Sequence, residues 1–149
     1  MLTQNPVVSA PNDGTLLNIG GSQLLRRIKS EDTNNAFSVV EFISQPGEGV
    51  GLHTHDNEDE LVYLLEGEIT VTVGDATMTA TAGTSALLPK GIPHGYVNSG
   101  TTPSRLLAVL MPGKLDTFFL ALSRELQTDR EHEEHITQLC QSFGLTFHS

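Results

Sequence analysis

The chain has 149 residues, with 18 acidic against 8 basic side chains and a formal net charge of −10. That length fits one domain, and so acidic a surface repels nucleic-acid phosphates and anionic lipid. The single cysteine, Cys140, excludes an internal disulfide and a cysteine-cluster metal site, and 38% hydrophobic content is too high for a disordered chain.

Residues 1–15 read as an irregular arm, punctuated by Pro6, Pro11 and Asn12-Asp13-Gly14. The arm lacks the basic and apolar regions of a signal peptide. No apolar run reaches the ~18 residues of a membrane span. A cytoplasmic protein with no membrane or nucleic-acid partner is expected. From residue 16 to 112 the chain reads as short strands and turns. Apolar, β-branched or alternating runs occupy 16–19, 23–29, 37–43, 61–65, 69–73, 77–81, 86–88, 96–98 and 106–110. Glycine and proline mark the corners between them, a pattern of β-sandwiches and barrels.

The period changes after Pro112-Gly113. Leu115, Phe118, Phe119, Leu122 and Leu126 recur at helical spacing, with Asp116 or Thr117 as candidate cap. A second helix over 129–143 carries Ile136, Leu139, Cys140 and Phe143 on one stripe, with Gly144 as its stop. Two such helices, forming an extension over 113–149, must dock on the β-domain, and Phe118, Phe119 and Leu122 read as docking residues. The charged run 131–135 contains His132 and His135 but reads as a solvated helix face. Cys140 reads as a buried packing residue.

The chemistry concentrates between Gly47 and Gly67. In a strand, His53 and His55 point to one face, so both imidazoles can approach one point. Glu60 follows a turn-like stretch, and the next strand, running back beside the first, can bring its carboxylate to the same point. Glu58 and Asp59 read as turn residues. If the strand opened by His94 is adjacent, a third imidazole joins. Such a set suits a divalent first-row transition metal (Fe, Mn, Ni, Co, Cu or Zn) and leaves coordination positions open for reaction. Strand parity places Tyr96 and Asn98 on the face of His94, and Val62 and Leu64 on that of Glu60, as pocket wall. Gly47, Gly49 and Gly51 lead into a strand and read as turn and bulge glycines, without the helix N-terminus of a phosphate loop.

These residues carry a resemblance. Gly47-x5-His53-x-His55-x4-Glu60-x6-Gly67 and Gly83-x5-Pro89-x-Gly91-x2-His94-x3-Asn98 match the two cupin motifs position by position. Asn35-Ala36-Phe37-Ser38, Glu58-Asp59-Glu60, Tyr63-x-x-Glu66-Gly67-Glu68 and the Phe118-Phe119 pair beyond Pro112-Gly113 resemble the quercetin-dioxygenase-like group of small cupins. The resemblance implies an all-β jelly-roll barrel, a double-stranded β-helix with two short C-terminal helices. It implies His53, His55, Glu60 and His94 as metal ligands, and a homodimer formed by exchange of strands near 16–28. The expected function is a metal-dependent dioxygenase acting on a small aromatic or enol-containing substrate, with Glu60 as proton acceptor. A redox-neutral isomerase or lyase and a non-catalytic ligand-binding protein are the alternatives.

Overall fold

The computed structural model describes residues 5–149, so the first four residues of the expected arm lie outside it. Eleven strands follow in chain order: β1 (Leu16–Asn18), β2 (Gln23–Ile28), β3 (Ser38–Ser44), β4 (Gly49–His55), β5 (Asp59–Glu66), β6 (Glu68–Val73), β7 (Ala76–Thr81), β8 (Ser85–Leu88), β9 (His94–Asn98), β10 (Ser104–Met111) and β11 (Leu145–Phe147). Helices α1 (Asp116–Leu126) and α2 (Glu133–Ser142) lie between β10 and β11. Among the described residues no helix is long and apolar enough to cross a membrane.

The strands form two antiparallel sheets, ordered β1-β2-β3-β10-β5-β8 and β11-β4-β9-β6-β7. Alternation decides which face is inside. On β10, Leu106, Ala108 and Leu110 are buried while Arg105, Leu107 and Val109 are only half-buried. Val40 and Phe42 of β3 and Val62 and Leu64 of β5 share that inner face and meet Ile69 and Ala80 of the other sheet in one core. Burying each such side chain is worth about 1.5–3 kcal/mol, so a one-residue register slip would expose the whole set. Leu16–Asn18 pairs with Gln23–Leu25 of its own chain, at the edge of the larger sheet.

Three expectations need correction. β5 does not run back beside β4; the stretch 56–58 carries the chain across to the opposite sheet. Both edges of β4 are already taken, one by β9 and the other by β11. β11 itself has no sequence counterpart: three residues after Gly144 are too few to show alternation. Gly144, at φ +65°, ends the turn after α2 and starts that strand. Finally, α1 has no side-chain cap. Asp116 instead accepts hydrogen bonds from Arg26, Ser30 N and Ser30 Oγ, and Thr117 Oγ1 donates to the carbonyl of Lys114.

Candidate metal centre and cavity

β4 delivers two histidines because it is bulged. Val50 pairs with Tyr96 and His53 with His94, so three steps on β4 match two on β9. In an unbroken strand Val50 and His53 would face opposite sides. The extra residue turns both inward, as bulges beside functional sites do. The close crossing of β4 and β9 requires glycine: a Cβ on Gly49 would fall on the Tyr96 carbonyl, and one on Gly95 would lie 2.9 Å from the Val50 oxygen.

His53, His55 and His94 converge from these two strands, with ring centroids 4.4–5.3 Å apart and one ligand atom from each within 4.8 Å of the others. Glu60 reaches in from the opposite sheet, with Oε1 3.4 Å from His55 Nε2 and Oε2 3.9 Å from His94 Nε2. All four side chains are buried. The tautomers follow from the backbone. His53 Nδ1 lies 2.6 Å from the Gly51 carbonyl and His94 Nδ1 3.3 Å from that of Ile92. A carbonyl only accepts, so each Nδ1 carries the proton and each Nε2 holds a lone pair. His94 Nε2 and both His55 nitrogens are buried without a hydrogen-bond partner. Orphaned polar atoms cost about 1–3 kcal/mol each, and a cation at their focus would satisfy them. The donor set therefore fits a divalent transition metal held by three imidazoles and one carboxylate.

Burial pushes the His53 imidazole down to about 4, with His94 adding to the shift, and burial lowers His94 as well. Burial alone would raise the Glu60 carboxyl; the histidines around it, His55 first, hold it below the usual carboxylate value. His53 and His94 are thus favoured neutral and Glu60 ionised, the forms in which these side chains can ligate a cation. A stability consequence follows. His53 titrates at about 4 in the fold against 6.5 unperturbed, so as pH falls the unfolded chain takes up its proton first. Stability is then complete above pH 6.5 and lost as pH falls towards 4, by about 3 kcal/mol for His53 alone. Urea unfolding of chelator-treated protein across this range should show the midpoint falling with pH; a flat profile would contradict the assignment.

The histidines and Glu60 form the polar end of a cavity of about 250 Å3. Val62, Leu64 and Tyr96 lie on its wall, as parity suggested, and no lysine or arginine does. Asn98 lies elsewhere. It is buried, but its Nδ2 donates to the carbonyls of Ser44 and Thr102 and its Oδ1 accepts from Gly100 N. It clamps loops and does not line the pocket. Phe118, Phe119 and Leu122 of α1 are wall residues as well as docking residues, with Phe119 edge-on to Phe42 at 5.5 Å. Asp59 points away and accepts from Lys90 N. Glu58, read as a turn residue, is instead buried, with Oε1 3.7 Å from His55 Nδ1. Phe147 of β11 sits 5.4 Å from the His53 ring. Neither contact had a sequence signal, because both depend on where β11 and the stretch 56–58 pack.

Two antiparallel sheets close over an inward cluster of three histidines and a glutamate, and residues 40–110 match the family described as Cupin domain. The chain's fold is the cupin fold. Quercetin 2,3-dioxygenase of Bacillus subtilis is 29% identical over 119 residues, 78% of this chain and 34% of that protein. The oxalate-binding protein of Thermotoga maritima is 35% identical over 66 residues, 44% of this chain and 54% of that protein. The chain spans 17% to 60% of the length of the curated relatives it matches. A crystal structure of a predicted oxalate decarboxylase from Thermotoga maritima covers 71% of this chain and 99% of its own, with a TM-score of 0.68 at 24% identity, a likeness of fold. The cupin match ends at residue 110, so α1 and β11 add cavity wall from beyond it.

Proposed function

We propose that His53, His55, Glu60 and His94 hold a divalent first-row transition metal, and that the cavity takes a small, uncharged aromatic or enol-containing molecule for oxidation by O2. The observation that carries this reading is the combination of unpartnered, buried imidazole nitrogens with a largely apolar wall on which, among the described residues, no lysine or arginine lies. A dianion such as oxalate would meet Glu60 with no cationic side chain to pair its second carboxylate. The 29% identity to a quercetin dioxygenase supports the same direction.

When bound, the metal supplies a Lewis acid and open positions for substrate oxygen and O2. The protein supplies the rest. Glu60, buried yet ionised, receives the enol hydroxyl proton on a carboxylate oxygen. Val62, Leu64, Phe118 and Phe119 hold the apolar body of the substrate and exclude water. Oxygen uptake with a panel of diketones and flavonols, on protein loaded separately with Fe, Mn, Ni, Co or Cu, tests the reading. Consumption should fall about 10²–10⁴-fold in Glu60→Gln. Silence with every metal sinks the oxygenase reading, and turnover with zinc in the absence of O2 would replace it with redox-neutral chemistry.

The reading includes a homodimer. Leu61, Tyr63 and Leu65 of β5 and Leu87 of β8 are exposed on the outer face of the larger sheet, where Leu61 lies opposite Leu87. Neighbouring exposed apolar side chains of this kind mark association surfaces. Sedimentation velocity should read a dimer, and a monomer at all concentrations would remove this part.

A further inference from the structure

A row of hydroxyls borders the cavity two residues along β9 from His94. Ser22, in the turn between β1 and β2, and Tyr96 both line the cavity. Ser44, at the end of β3, is fully buried between them. Ser22 Oγ donates to the Gly49 carbonyl at 3.0 Å. That uses its only proton, so across the 2.6 Å contact between the two serines Ser44 is the donor. Ser44 has then used its own proton, and across the 2.9 Å contact with Tyr96 the phenol must donate. The row therefore runs one way, from Tyr96 through Ser44 and Ser22 to the backbone.

This order leaves the Tyr96 oxygen with no proton to offer the cavity. In this order neither Ser44 nor Ser22 keeps a proton for it. Its ring is held edge-on to Phe42, with centroids 6.4 Å apart. We propose that the Tyr96 oxygen is a fixed hydrogen-bond acceptor for a ligand hydroxyl, and that the cavity selects an elongated aromatic enol carrying a hydroxyl at its far end. Tyr96 shares the strand face of His94, two residues and about 7 Å further along β9. A ligand satisfying both has its enol oxygen at the histidine cluster and a phenolic hydroxyl one ring away. This inference rests on the enol-binding reading above.

Three probes separate the possibilities: 1,3-diphenylpropane-1,3-dione and its 4-hydroxy and 4-methoxy derivatives, titrated into zinc-loaded protein and followed by absorbance. The 4-hydroxy compound should bind about 3–10-fold tighter than the parent, the worth of one net hydrogen bond. The methoxy compound, which offers only an acceptor, should bind no tighter than the parent. Tyr96→Phe should erase the hydroxyl preference, the 4-hydroxy compound then binding no tighter than the parent. A hydroxyl derivative no tighter than the parent, or a methoxy derivative that binds as tightly as the hydroxyl one, overturns this inference and leaves the enol site standing. That comparison needs only the unmodified protein, so it decides the matter even if Tyr96→Phe fails to fold. Failure of all three probes to bind overturns the enol reading and this inference together.

Discussion

Purified protein is expected to carry about one first-row metal ion per chain, and a His53→Ala/His94→Ala double variant less than about a tenth of that, because three-imidazole sites depend on every ligand. The expectation rests on convergence and tautomer together. His53 and His94 each tie Nδ1 to a backbone carbonyl, so neither ring can turn its lone pair elsewhere. Removing both leaves His55 and Glu60, two donors on opposite sheets with nothing to hold them at a common point. Elemental analysis of untagged protein reads the result directly. Which ion is found depends on cellular supply as well as affinity, since the Irving–Williams order favours copper and zinc at most such sites. Glu58 provides an internal control. Its carboxylate approaches the far nitrogen of His55, the place where ligating histidines usually find an orienting partner. Glu58→Gln should keep the site but weaken metal binding about 10–100-fold. Wild-type protein that is empty and refuses added metal would leave a ligand-binding barrel without an ion.

Asp116→Ala should cost about 3–5 kcal/mol of folding stability, the usual loss when one partner of a buried ion pair is removed. Asp116 is fully buried. It accepts from Arg26 Nε at 3.2 Å and Nη2 at 2.8 Å, from Ser30 N at 2.9 Å and from Ser30 Oγ at 2.7 Å. Alanine would leave the largely buried Arg26 guanidinium only its exposed partner Glu31 and would strand the Ser30 N–H at once. A total stability near 5–15 kcal/mol makes that loss a large fraction. Urea unfolding should show a lower midpoint with an unchanged slope. Asp116→Asn, which keeps the shape and loses the charge, should fall between. A loss under about 1 kcal/mol would mean that solvent replaces these bonds at little cost.

The histidine cluster and the barrel were readable from the sequence because both rest on short-range regularities. Alternation on β10 declares its inner face, and the His-x-His spacing places two imidazoles on one side of a strand. What stayed hidden depends on contacts between distant segments. Glu58 looks like turn chemistry until its burial beside His55 is seen. Asn98 shares parity with His94 yet spends its amide on loop carbonyls. Asp116 stands where a helix cap belongs and serves Arg26 instead. The exchange of β5 to the opposite sheet is invisible because β11, which occupies the free edge of β4, is too short to announce itself. Parity placed Val62, Leu64 and Tyr96 on the cavity wall but failed for Asn98, where β9 ends and the amide turns to backbone carbonyls.

The pairing of β11 with β4 sets the order in which the site is completed during synthesis. His53 and His55 emerge early and share one strand, so a two-histidine fragment exists before the rest of the cluster. His94 comes much later, and the edge of β4 is covered only when Leu145–Phe147 arrives opposite His53 and His55. Closing so long a loop is slow relative to forming local hairpins. The two imidazoles of β4 therefore stand beside an open strand edge until Leu145–Phe147 docks, and Phe147 takes its place near the His53 ring only then.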